Sequence, residues 1–122
     1  MSKFSFVLLY VENPPASAAF YAGLLSKPIA ETSATFAMLP LSDEVMLGLW
    51  SRRTVAPAAS APGGTEVAFT VADAGEVERT HADWKGRGLA IAQQPTAMDF
   101  GHTFVALDPD GHRLRVLAPA AA

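Results

Sequence analysis

A chain of 122 residues carries enough material for one modest hydrophobic core and not for two independent ones. Half of its residues are apolar and 17% are charged, which places it among globular sequences rather than disordered ones. The net charge of −3, with no long basic run, argues against a nucleic-acid partner, and no apolar run approaches the roughly 18 residues of a membrane span.

Residues 5–11 have the β-branched and aromatic enrichment of a strand and are apolar on both faces. Asn13-Pro14 supplies an N-cap and a first-turn proline, predicting a helix through about Leu25 with Ala16, Phe20, Gly23 and Leu24 on one stripe. Two short runs, 35–39 and 45–50, flank Ser42-Asp43-Glu44 and read as a hairpin. The Pro/Ala/Gly-rich stretch 55–64 reads as a linker between two halves, about 3–54 and about 65–119, of a single domain spanning 1–122.

The second half repeats the plan. Val7-Leu-Leu-Tyr-Val11 returns sixty residues later as Val67-Ala-Phe-Thr-Val71. Asp73 caps a second helix to about Lys85, ended by Gly86 and Gly88. A short strand is expected near 90–92. Two further strands, 102–107 and 113–118, flank the turn Asp108-Pro-Asp-Gly111. The sum is β-α-β-β-β, twice, an α+β fold.

Strand alternation sorts the side chains of each half. Val7, Leu9 and Val11 share one face; Phe6, Leu8 and Tyr10 share the other. Leu47 and Leu49 oppose Met46, Gly48 and Trp50. Val67, Phe69 and Val71 oppose Glu66, Ala68 and Thr70, and Leu114 and Val116 oppose Arg113 and Arg115. The aliphatic sets suit packing under the helices. The mixed sets suit a binding surface with a few polar anchors.

The double unit, with Phe20-Tyr21 on the first helix and Asp108-Pro-Asp-Gly-His112 before the last strand, resembles the vicinal oxygen chelate superfamily over nearly the whole chain. This group includes glyoxalase I, fosfomycin-resistance enzymes, extradiol dioxygenases and bleomycin-resistance proteins. Leu9-Tyr-Val11, Leu49-Trp-Ser51 and Phe100-Gly-His-Thr-Phe104 look closer to one branch, the phenazine antibiotic resistance proteins, which bind their drug without destroying it. The resemblance implies that the strands of each half form a curved mixed-sheet cup. It also implies a homodimer, with or without exchange of modules between chains.

The enzymes of that superfamily hold a divalent metal through histidine and glutamate on the first and last strands of each module. Carried over by motif, those positions fall on Phe6 and Gly48 in the first half and on Glu66 and Arg115 in the second. Phenylalanine and glycine offer no donor, and an arginine places a positive charge where a dication would sit. One carboxylate cannot meet a metal's need for several protein ligands. The chain has no cysteine either, which removes thiolate ligands, disulfides and a cysteine nucleophile, and suits a reducing cytoplasm. No metal, other cofactor or catalytic residue is therefore expected.

The expected function is sequestration of a planar aromatic small molecule, an antibiotic of the phenazine or bleomycin kind. Tyr10, Trp50 and Phe104 would supply stacking surface, Phe6 a wall, and Met38 and Met46 adaptable filler beside the open space at Gly48. Glu66, Arg113 and Arg115 would orient polar groups, and His102 would stand at the rim. Plainer readings exist for several of these. Trp50 suits a core or an interface, Phe6 suits filler, and Glu66–Arg115 suits a structural ion pair. His81 fits packing against the sheet, His112 an exposed turn, and Asp108 with Asp110 backbone capping. The rival from another class is an enzyme, with a relocated metal or with Glu66 as acid–base group.

Overall fold

A computed structural model describes residues 2–120, so that Met1, Ala121 and Ala122 of the expected domain lie outside it. The chain divides into two compact units, Met1–Ala61 and Pro62–Ala122, and the division falls inside the Pro/Ala/Gly-rich stretch. Each unit is one helix laid on one four-stranded mixed sheet. No helix among the described residues is long and apolar enough to cross a membrane.

In the first unit, β1 (Phe6–Val11), α1 (Pro14–Leu25), β2 (Glu31–Thr32), β3 (Phe36–Pro40) and β4 (Met46–Ser51) follow in chain order. The sheet order is β1-β4-β3-β2, with β1 parallel to β4 and the rest antiparallel. Asn13 caps α1 by accepting the Ala16 amide at 3.1 Å, and Pro14 occupies the first turn, where its missing N–H costs nothing. The helix buries Pro14, Ser17, Ala18 and Tyr21. The expected stripe of Ala16, Phe20, Gly23 and Leu24 is therefore not the inward face. A helix that is apolar on every side gives no periodic signal to choose a face, and the inward Ser17 runs against hydropathy.

The second unit repeats the order with β5 (Glu66–Thr70), α2 (Ala74–Gly86), β6 (Ile91–Met98), β7 (Gly101–Leu107) and β8 (Arg113–Pro119). Its sheet runs β5-β8-β7-β6, again with the outer pair β5–β8 parallel. Asp73 and Glu76 form a capping box. Asp73 accepts the Glu76 amide at 2.8 Å, and Glu76 reaches back to the Ala72 amide at 2.9 Å. The core under α2 is aromatic: Trp84 meets Phe69 and Phe104 edge-on at 6.3 and 5.5 Å, and His81 meets Phe104 at 5.3 Å.

Strand β6 is longer than the expected 90–92 segment. It carries Pro95, which has no N–H to donate, and the register slips between Gln93 and Thr96 so that the proline falls in the irregularity of an edge strand. A proline and two glutamines hide a strand from pattern reading.

Candidate functional site

The pairing registers turn the uncovered face of each sheet into a small grid. In the first unit the rungs are Phe6–Met46–Pro40, Leu8–Gly48–Met38 and Tyr10–Trp50–Phe36. Eight larger residues surround one glycine. Phe6, Leu8, Phe36 and Trp50 line an open apolar trough of about 420 Å³ on this face. Phe36 and Trp50 meet edge-to-face, with centroids 6.3 Å apart. Phe6 and Leu8 are each 44% exposed, an unusual state for large apolar side chains on a strand.

Gly48 does not leave free space, contrary to expectation. A β-carbon there would stand 2.5 Å from Leu8 Cδ2 and 3.1 Å from the Phe36 ring. The neighbours have leaned into the gap, because a void beside apolar groups forfeits their dispersion contacts. Leu8 and Phe36 are thus wall residues, and neither was among the expected ligand contacts. The alternation of β1 had already placed Leu8 on the correct face. Phe36 lacked such a signal, since β3 is half-buried on one face and buried on the other.

In the second unit the rungs are Glu66–Arg113–Leu107, Ala68–Arg115–Val105–Gln93 and Thr70–Leu117–Thr103–Thr96. By register, Arg115 stands where Gly48 stands in the first unit. Its guanidinium grips Glu66 with Nε to Oε1 at 2.7 Å and Nη2 to Oε2 at 3.0 Å. Nη1 donates to Gln93 Oε1 at 3.1 Å and to Thr103 Oγ1 at 3.2 Å, so four of the five N–H groups of the fork are committed. Phe100 packs over the same guanidinium, its centroid 5.8 Å from Cζ. The hydrogen bond from Arg115 holds the Glu66 carboxyl below its ordinary value, against some opposing desolvation, and Glu66 in turn raises Arg115.

These residues do not fit a divalent cation. Phe6 and Gly48 bring no donor atom, and both oxygens of Glu66 are already held by a permanent cation. Among the described residues, no three histidine, aspartate or glutamate side chains gather as a metal site would require.

Two expected site residues lie on the wrong face. Phe104 pairs with Val116 and is fully buried against His81 and Trp84, beneath α2. His102, two residues earlier on the same strand and so on the same side, has Nε2 3.2 Å from Glu78 Oε1 of α2. With both apolar and polar residues alternating irregularly along β7, the sequence offered no clean parity. His112 is not an exposed turn residue either. Its Nδ1 lies 2.7 Å from Asp108 Oδ2, while Asp108 Oδ1 accepts the amides of Asp110 and His112 at 2.9 Å each. Asp108 thus caps the turn as expected and holds the histidine as well. Of the expected polar anchors, Arg113 is exposed beside Glu66.

The chain matches the family model for the Glyoxalase/Bleomycin resistance protein/Dioxygenase superfamily over residues 3–116. It is 28% identical, over 89% of its own length and 86% of the relative's, to the phenazine antibiotic resistance protein EhpR of Enterobacter agglomerans. The solution structure of protein ATC0852 from Agrobacterium tumefaciens is 51% identical, covers 99% of this chain and 100% of that one, and superposes with a TM-score of 0.90. A glyoxalase-related enzyme of Fulvimarina pelagi shares the fold at a TM-score of 0.83 and 19% identity, over 100% of this chain and 94% of that one. With a repeated helix-on-sheet unit and a match across nearly its full length, this chain belongs to the Glyoxalase/Bleomycin resistance protein/Dioxygenase superfamily.

Proposed function

We propose that the protein binds and sequesters a planar aromatic small molecule without chemical change to it, as an antibiotic-binding member of its superfamily. One observation carries this reading: the trough of Phe6, Leu8, Phe36 and Trp50, about 420 Å³ of open, almost wholly apolar space with an indole in its wall. Apolar surface left uncovered at this scale marks a place where something docks, and aromatic walls favour a flat, unsaturated occupant. The relative EhpR, described as a phenazine antibiotic resistance protein, supports phenazines as the first compounds to try. Resistance would follow from mass action. The homodimer implied by the resemblance and the cytoplasmic location suited by the cysteine-free composition belong to the same proposal, and sedimentation of the purified chain tests the first.

Titration with phenazine tests the reading through Trp50, because the other tryptophan, Trp84, is buried on the inward face of α2. Saturable quenching at micromolar ligand is expected, lost in Trp50→Phe, with the melting temperature rising as ligand accumulates; a hundredfold excess over Kd adds about 2.7 kcal/mol. Quenching that fails to saturate, with an unmoved melting temperature, overturns it. Stoichiometric metal in protein purified without chelator would instead favour the enzyme reading.

A further inference from the structure

The exposed Phe100 ring and the committed Arg115 guanidinium beneath it have no part in the trough. Hydrogen bonds to a guanidinium lie in its plane, and Glu66, Gln93 and Thr103 take up most of that plane's edge. What remains is a flat cationic plate, fixed in orientation and only 18% exposed at its side chain. Phe100 packs over this plate while remaining 44% exposed. Gln93 extends the platform: its Oε1 accepts from Arg115, and its Nε2 donates to the Met98 sulfur at 3.4 Å. Met98 is itself 45% exposed. Two large apolar side chains thus stand open to solvent on a foundation of five hydrogen bonds, counting the Met98 contact.

We propose that Phe100, seated on Arg115, is an aromatic subsite of the second unit that takes the electron-rich ring of a fused aromatic ligand. The inference deepens the reading of the protein as an aromatic-binding one and rests on it. A cation against one face of a benzyl ring draws on its π-density, so the outer face of Phe100 is a better partner for a ring rich in electrons than for one poor in them. Arg115, with its fork committed, works as an electronic support and not as a receptor for an anionic substituent.

The test compares phenazine with 1-methoxyphenazine, whose substituent donates electron density, in wild type, Phe100→Leu and Phe100→Tyr. Leucine keeps apolar bulk and removes the ring; tyrosine keeps the ring. Wild type and Phe100→Tyr should bind 1-methoxyphenazine about threefold to tenfold tighter than Phe100→Leu does, and the preference for the methoxy compound over phenazine should vanish in Phe100→Leu. Ring-current shifts of the Met98 methyl and the Phe100 and Gly101 amides should accompany binding. Equal affinities in wild type and Phe100→Leu, or no shift at Met98 and Phe100 while Trp50 quenching saturates, overturn the subsite and leave the trough standing. Absence of Trp50 quenching with those shifts present would instead count against the trough.

Discussion

Gly101 shows how much one missing β-carbon can decide. Its φ of +144° lies where L side chains are strained, and a β-carbon would sit 2.0 Å from the Ala118 carbonyl oxygen. Neither the backbone conformation nor the contact can be relieved by turning a side chain, since the obstacle is the neighbouring strand's main chain. Gly101→Ala should therefore cost about 2–4 kcal/mol, read as a loss of melting temperature in thermal unfolding. Gly48→Ala is a different experiment. Its obstacles are the end of Leu8 and the edge of Phe36, both able to give way, so the expected loss is smaller, about 1–2 kcal/mol. Because those two side chains wall the trough, the same change should weaken phenazine binding measured by Trp50 quenching.

At the scale of the element, the β7–β8 turn is organised by a single buried carboxylate. Asp108 accepts two backbone amides and lies within hydrogen-bond reach of the His112 ring, so it does for the turn what a cap does for a helix. Asp108→Ala removes both acceptor oxygens and all three contacts, and leaves two part-buried amide donors unpaired. A loss of about 2–4 kcal/mol is expected from chemical denaturation, against about 1 kcal/mol for Asp73→Ala at the α2 cap, whose helix terminus is open to water. Equal effects would mean that the buried network adds nothing to simple capping. These local devices were legible in advance: Asn13-Pro14, Asp73 and the Asp-Pro-Asp-Gly turn each announce a boundary through their own chemistry. What the sequence could not deliver was facing. The inward face of α1 was hidden because the helix is apolar on nearly every side, and its inward set, Pro14, Ser17, Ala18 and Tyr21, includes a serine. The parity of β7 was hidden because Thr103, Phe104, Val105 and Ala106 are all buried, leaving no exposed partner to mark a side. On β1, β4, β5 and β8 the alternation was clear, and the residues expected on the uncovered faces there lie on them.

Across the whole molecule, two similar units solve the same position in opposite ways. The first fills the centre of its grid with neighbouring apolar side chains around Gly48. The second fills it with Arg115, which from β8 reaches Glu66 on β5, Thr103 on β7 and Gln93 on β6, and so ties all four strands of its sheet. The two units should consequently respond differently to acid. A carboxyl held below its ordinary value of 4.5 when folded stabilises the native state above that value, and the contribution is lost as the pH falls through the lowered folded value. The raised Arg115 works in the other direction, so its contribution would be lost only at strongly alkaline pH, far from any working pH. Glu66→Gln should therefore lower the melting temperature at pH 7, and the gap to wild type should close as the pH drops below about 4.5. In wild type, amide protection in β5–β8, corrected for intrinsic exchange, should fall over that range before protection in β1–β4 does, because the first sheet has no ion pair at its centre to lose. A gap between the two proteins that is as wide at pH 3 as at pH 7 would show that Arg115 holds its sheet by shape and hydrogen bonding alone, with the charge on Glu66 contributing nothing.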